Sequence, residues 1–508
     1  MYNLLADPII TVKLTDGGRS RASLPELFVL LEENRVAGYA HLLPYQRHPW
    51  HALCVQLACL ALEEADLPAP GESPCLLGRH DRDWWAGALR RLTPGYEQDE
   101  PWALIVGDIA RPAFLQTPVV DGPLADWTKL VKSPDDLDVL VTAKNHGVKQ
   151  TRMNAPAAED WLFALVSTQT QGGYDGRGLY GIARMNGGYG TRPGFSLVPG
   201  PAPGGQWARD ARVILDNLDD ISPDIFNRRH PRRALLWLDP WDGATSWPLA
   251  DLHPLFVEIC RRFRLEDREG TILASYKATA CARLDAKNFN GVVGDPWMPF
   301  QSAVDGQKSY ASALTYRNIC AMLGTGKYRR PLLLESHPCD PPSGMAAQCR
   351  ILLRGQGKTE GYQERVIPIH GSVDLLSKDS TKNTAATMVS LADKAEGKVL
   401  RPALKIFLQD RSGKDSVGIR EWIQALDRAV DEIFFPSLWD MLERQESGQD
   451  GCSAEQPWID KLRTLTKKYF AHALSALPCA AAYRLRAEAE AWIAFNKLRA
   501  KELPLAKS

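Results

Sequence analysis

The spacing of apolar residues changes character along the chain. Residues 9–14 (IITVKL) predict a strand. Residues 50–67 (WHALCVQLACLALEEADL) carry apolar side chains at helical spacing and predict a buried helix. Residues 137–143 (LDVLVTA) predict a short strand. Pro156 then opens a helix that carries Trp161, Leu162, Leu165 and Val166 on one side and stops at Gly172-Gly173. From 173 to 194 the pattern dissolves into GYDGRGLYGIARMNGGYGTRPG, too rich in glycine for a regular helix. Residues 350–354 and 361–369 read as two strands around a polar tip at 355–360, a predicted hairpin. Beyond it, residues 374–396, 399–409, 418–444 and 458–501 keep helical spacing with few breakers, and 446–457 form a polar connection. The fold class expected is α+β. A large irregular mixed α/β domain occupies 1–371, and a C-terminal bundle of about four or five helices occupies 372–508.

Composition narrows the function classes. A chain of 508 residues suits two to four domains. Its 61 basic and 61 acidic residues cancel, so a uniformly basic nucleic-acid coat is excluded while a local basic patch is not. No two of the ten cysteines have C-x-x-C spacing, which leaves a zinc ribbon without ligands and suits a reducing compartment. The N-terminus has no basic leader with an apolar stretch, and no run of about 18 apolar residues exists. These features predict a soluble, cytoplasmic protein with no bound cofactor.

Motifs for catalysis are weak. Gly355-Gln356-Gly357-Lys358-Thr359 ends like a phosphate-binding loop, but Leu352 stands where the first glycine must be, and a strand follows instead of a helix. Gly324-Thr325-Gly326-Lys327-Tyr328 fails similarly, with tyrosine in place of the magnesium-binding hydroxyl. His48 and His51, with His41 nearby, lack an acidic or cysteine partner in step and read as helix-start histidines. No G-x-S-x-G elbow is present.

Three turns carry more. Residues 142–152 (TAKNHGVKQTR) hold Lys144, Lys149 and Arg152 with no acid. Such a stretch is either a solvated loop or a backbone-gripping one. The glycine segment interleaves Arg177, Arg184 and Arg192 with Tyr174, Tyr180 and Tyr189. From Lys144 to Arg192 six basic residues face three acidic ones. Glycine admits a ligand close to the backbone, and arginine with tyrosine suits phosphate and base contact. At the hairpin tip, Gln356 can hydrogen-bond a base edge, Lys358 can hold phosphate, and a stiff ribbon can act as a wedge.

In this order, the three turns resemble the CasA family, the large subunit of the type I-E CRISPR Cascade complex. The opening NLLADPIITV, Pro112 to Thr117 (PAFLQT), Asn145, Gly173-Tyr174-Asp175-Gly176, Gly291 to Trp297 (GVVGDPW), Gln356-Gly357-Lys358 and the helical C-terminus all carry the likeness. The resemblance implies an unusual mixed α/β domain followed by a four-helix bundle, in a non-catalytic subunit of an RNA-guided antiviral ribonucleoprotein. Such a subunit recognises the protospacer-adjacent motif of duplex DNA, largely from the minor groove. It wedges the duplex open for R-loop formation and helps recruit a helicase-nuclease. It also implies that Asn145 and its neighbours Lys144 and His146 lie where the crRNA 5′ handle and DNA meet; Lys149, from the basic run, joins them as a DNA-binding candidate. Gly173, Tyr174, Asp175 and Gly176 would face the motif, and Gln356, Gly357 and Lys358 would form the wedge. Arg283 or Lys287 would be the basic residue that reads the motif. Asp175 departs from the family's glycine, and the zinc-binding cysteine pair of some members is missing. The competing expectation is a metabolic enzyme with a cleft lined by some of the 15 tryptophans. A purely architectural subunit is the third.

Overall fold

The computed structural model describes residues 2–65, 80–127, 129–137, 153, 155–185, 192–226, 233–301, 308–310, 312–324, 328–355, 358–371, 373–409, 415–448 and 451–505. The chain divides into two compact units. One comprises Met1–Leu314 with Tyr328–Pro368, the other Thr315–Lys327 with Ile369–Ser508. The helical unit thus takes in Thr315–Lys327, which lies inside the stretch expected to belong to the N-terminal domain.

The first unit is a mixed α/β body built on several small sheets. The first strand, Ile10–Leu14, pairs antiparallel with Arg19–Ala22 and Val36–Tyr39. The helix Arg47–Glu64 begins three residues earlier than the pattern suggests. Leu53, Cys54, Val55, Leu57, Ala58, Cys59 and Ala61 are all almost fully buried, so this helix is surrounded by protein. Its one buried amide, Gln56, donates to the carbonyls of Leu255 and Phe256 at 3.2 and 3.0 Å. Of the strand expected at 137–143, only Leu137 is described. It closes a short 3-10 turn, Pro134–Leu137; the rest lies outside the described residues.

The helix Ala158–Gln171 starts two residues after Pro156. The Asp160 carboxylate accepts from the Ala157 backbone N–H at 2.8 Å, which satisfies an otherwise orphan donor of the first turn. It ends at Gly172 as expected. Gln169, fully buried near its end, uses its whole amide. Nε2 donates to the carbonyls of Leu115 and Arg261, both at 2.9 Å, and Oε1 accepts from the N–H groups of Cys260 and Arg261 at 3.0 and 2.8 Å. This fixes the helix end against the start of the strand Arg262–Arg268.

The hairpin is longer than the pattern predicts. Its strands are Ala346–Gly355 and Lys358–Pro368, so Lys358, Thr359 and Glu360, expected in the tip, continue the second strand. The register shifts between Leu353 and Arg354, and Gly361 at φ +133° takes up the irregularity. A third strand, Gly194–Val198, pairs with Ala346–Arg350 only. Past Arg350 the hairpin runs on as a two-stranded ribbon for about 17 Å, at roughly 3.3 Å per residue. Such a ribbon is marginal alone. Leu352 and Tyr362 pack with Tyr45 and Leu43 at its flank, and Glu364 joins Arg350 (2.8 Å), Arg47 (3.0 Å) and the Tyr362 hydroxyl (3.2 Å).

In the second unit, Asp379–Lys394 passes through a π-helical stretch, Ala395–Leu400, into Arg401–Phe407. Three helices follow: Val417–Glu446, Gly451–Ala476 and Ala481–Glu502. The polar stretch expected as a loop at 446–457 is already helical from Gly451. The stretch of helical spacing over 458–501 breaks at Leu477-Pro478-Cys479-Ala480, where Pro478 has no N–H to give and disfavours helical geometry before it. Phe470 and Phe495 stack at 4.3 Å between the last two helices. Arg317, on the helix Tyr316–Gly324, pairs with Asp393 at 3.0 Å, Glu396 at 2.7 Å and Asp427. Burial raises the Glu396 carboxyl to about 7 against the pull of Arg317.

Replacing Arg317 by Met leaves Glu396 and Asp427 facing each other. This costs the helical unit roughly 2 kcal/mol at pH 8, discounted from the cost of breaking a fully buried pair. Because the Glu396 pKa lies above the free value of 4.5, protonation favours the folded state. The penalty therefore shrinks as pH falls through 7 to 5, as urea denaturation at the two pH values will show.

Candidate nucleic-acid interface

The glycine segment is folded tightly where it is described. After Gln171 the chain makes a compact loop held by its own backbone. Asp175 N–H donates to Leu179 O (2.9 Å), Leu179 N–H to Gly176 O (3.0 Å) and Ile182 N–H to Gly172 O (2.9 Å). Gly178 sits at φ +83°, and a Cβ there would come within 2.8 Å of the Ala278 side chain, so only glycine fits. The Thr279 N–H donates to Gly178 O, and the Tyr180 hydroxyl donates to Ala280 O at 2.9 Å. Arg261, buried, donates from Nη2 to Gly173 O at 2.8 Å. Gly173 is buried, Tyr174 half-buried beside Tyr180 (6.0 Å between rings), and Asp175 and Arg177 are exposed.

Two of the segment's three arginines do not face solvent, which corrects their reading as phosphate or base contacts. Arg184 and Arg192 are each 1% exposed. Arg184 Nε lies 3.2 Å from Asp295 Oδ2, and its Nη1 lies 3.4 Å from Glu258 Oε2. Arg192 Nε pairs with the same Asp295 oxygen. Glu258 Oε1 also accepts from the Ala183 N–H at 2.5 Å. Burial pushes the Glu258 carboxyl up to about 7 against the opposing arginines. Burial and Arg192 lower Arg184 to about 10. Of the local excess of positive charge, these two members are cancelled internally.

Arg283 and Lys287 part company. The Arg283 guanidinium is buried. It lies 3.5 Å above the Trp247 ring and donates to the carbonyls of Leu236, Asp239 and Pro240. Desolvation lowers it to about 10. A side chain so enclosed cannot reach a ligand without unpacking, which corrects its candidacy. Lys287 is exposed, on the short turn Lys287–Phe289 that ends at Asn290 in the left-handed region.

Lys144, Asn145, His146, Lys149, Gln356 and Gly357 lie outside the described residues. Lys358 is the first residue of its strand, paired with Gly355. Tyr189 and Arg152 lie outside as well. Neither lysine-containing near-motif has the strand-then-helix context of a phosphate loop: a strand begins at Lys358 and another at Tyr328. His51 pairs with Asp210 at 2.8 Å, and His48 is buried against Gly194 and Trp297. No cluster of His, Cys, Asp and Glu suited to a metal occurs among the described residues. Nor is any described helix long and apolar enough to cross a membrane. Nine of the 15 tryptophans are core: Trp50, Trp85, Trp102, Trp161, Trp207, Trp237, Trp241, Trp297 and Trp458 are fully buried. A cavity of about 810 Å³ in the first unit is lined by Phe289, Phe300, Arg329 and neighbours, with no tryptophan among them.

The buried polar residues that hold the loop—Gln169, Glu258 and Arg261—carry no sequence signal; Asp295 has one, inside GVVGDPW. Because the Glu258 pKa stands above its ordinary 4.5, its contribution to stability is complete below pH 4.5 and lost as pH rises through 7. Denaturation from pH 5 to 8 should therefore show the wild type losing on the order of 3 kcal/mol more than Glu258→Gln.

No family model matches the sequence, and no curated protein matches it. Solved structures do match, over almost the whole chain. Cse1 from Acidimicrobium ferrooxidans has 15% identity and a TM-score of 0.65 over 99% of this chain and 98% of that one. CasA from Thermus thermophilus has 16% and 0.66 over 98% and 99%. Thermobifida fusca Cse1 has 16% and 0.66 over 100% and 99%. A chain of a CRISPR RNA-guided surveillance complex matches at 12% and 0.52 over 93% and 99%. From end to end, then, this chain has the fold of the Cse1 (CasA) proteins.

Proposed function

We propose that this chain is the large Cse1-type subunit of an RNA-guided DNA surveillance complex, a non-catalytic member that reads the protospacer-adjacent motif. The observation that carries the reading is full-length agreement with the Cse1 fold together with a rigid glycine loop, Gly173 to Gly176, at the point the motif resemblance assigns to DNA. A loop with little side chain can enter a narrow groove. There the donor–acceptor code is degenerate, so several motifs are tolerated. Lys287, exposed where Arg283 is buried, is the basic residue of this site.

The hairpin supports the second half of the activity. Its ribbon extends past the third strand, and Gln356 and Gly357, with Lys358 at the start of the second strand, act as the wedge between base pairs. Opening the duplex lets guide RNA pair with the target strand, so sequence specificity rests on base pairing and the protein reads only the motif. Lys144, Asn145, His146 and Lys149 hold the crRNA 5′ handle and adjoining phosphates. The partners are the other Cascade subunits, crRNA, duplex DNA and a helicase-nuclease.

In guide-loaded complex, Lys287→Ala should weaken binding to motif-bearing duplex about tenfold, the order of one lost base-edge contact, and leave guide assembly unchanged. Gel shift against a pre-opened bubble target separates the steps: Gln356→Ala with Lys358→Ala should slow opening of intact duplex and spare the bubble. Equal binding of both targets by that variant removes the wedge. Unaltered binding by Lys287→Ala removes Lys287 from the site.

A further inference from the structure

The stretch Gly291 to Trp297 is part of the family likeness, yet the proposed function gives it no task. Its geometry supplies one. Arg184 and Arg192 stand at either side of the second half of the glycine segment, eight positions apart in sequence. Both guanidinium groups come to one oxygen, Oδ2 of Asp295. The other oxygen, Oδ1, accepts from the Trp297 backbone N–H at 3.0 Å. The Trp297 ring lies under Arg192, 5.2 Å from its guanidinium carbon, and its indole N–H donates to Asp210 at 3.0 Å. The Trp297 carbonyl accepts from Phe195 N–H at 2.9 Å, on the strand that supports the hairpin. Gly294, at φ +72°, brings this turn against Ser222 so closely that a Cβ would meet its hydroxyl at 2.8 Å. Glu258 completes the cluster from the other side, through Ala183 N–H and Arg184. Two guanidinium groups and two carboxyl groups are packed together in a buried site.

We propose that Asp295 is the positioning residue of the DNA-facing glycine loop. It draws both arginines to one carboxylate, and so fixes the backbone at 183–184 and at 192–194, which meets the start of the loop through Ile182 N–H to Gly172 O at 2.9 Å and Gln171 Nε2 to Arg192 O at 3.4 Å. The inference rests on the reading of that loop as the motif reader. A backbone that recognises groove shape must be held within about 0.5 Å of its working geometry. A buried ion cluster is well suited to that, because it tolerates few alternative arrangements.

The test uses the guide-loaded complex with two variants. Asp295→Asn alone leaves two buried cations on one carboxylate and can lose the fold. Arg192→Met combined with Asp295→Asn removes one charge of each sign and retains the Arg184–Glu258 pair. Two quantities are read on the balanced variant. One is hydrogen exchange at the Asp175, Leu179 and Ile182 amides. The other is the ratio of affinities for motif-bearing and motif-less duplex. The expected result is exchange at least tenfold faster at these amides, a tenfold loss of discrimination, and unchanged affinity for motif-less duplex. Unchanged exchange overturns the positioning role, whatever the DNA result. Faster exchange with discrimination intact overturns the reading of the loop as the motif reader, and with it the functional half of the proposal.

Discussion

The structure around the candidate site depends on a small set of buried polar groups that have no choice of partner. Gln169 makes four hydrogen bonds, Arg261 holds Gly173 O, and Asp295 gathers two arginines. Each is surrounded by protein, so leaving one member unpaired costs the full desolvation penalty of its partner, about 1–3 kcal/mol and more for a charge. The loop's own residues could not impose its shape. Glycine gains nothing from side-chain packing and loses the most freedom on ordering. The shape comes from the scaffold behind it.

On the proposed function, that arrangement would let a chain of zero net charge serve DNA. Arg184, Arg192, Arg261 and Arg283 are internal, where they organise carbonyls and carboxylates. Of the candidate site's basic residues that are described, Arg177 and Lys287 are the exposed ones. Recognition on this plan relies on shape and backbone more than on a field of lysines. That would suit the proposed function, in which base pairing carries the sequence specificity.

Much of the fold was legible in the sequence where local pattern decides it. The buried helix from Arg47 to Glu64, the helix ending at Gly172, the hairpin and the helical C-terminus all follow from period and punctuation. What was not legible is long-range or polar. Nothing local announces that Gly194–Val198 pairs with Ala346–Arg350. Lys358 and Thr359 lack the apolar alternation of a strand and are strand through pairing with Gly355 and Arg354, Glu360 being the extra residue where the register shifts. At the site, arginines in a glycine-rich stretch read as ligands because a sequence does not show Asp295, over a hundred positions on, waiting for them. Arg283 could not be told from Lys287 until the ring of Trp247 was seen beneath its guanidinium.

The most direct measurement is photo-crosslinking from a benzoyl-phenylalanine placed at Tyr174 in guide-loaded complex bound to target duplex. Crosslinks to nucleotides of the protospacer-adjacent motif, lost when the motif is scrambled, are the predicted result. Crosslinks to protein alone, in a complex that still binds and opens its target, would contradict it.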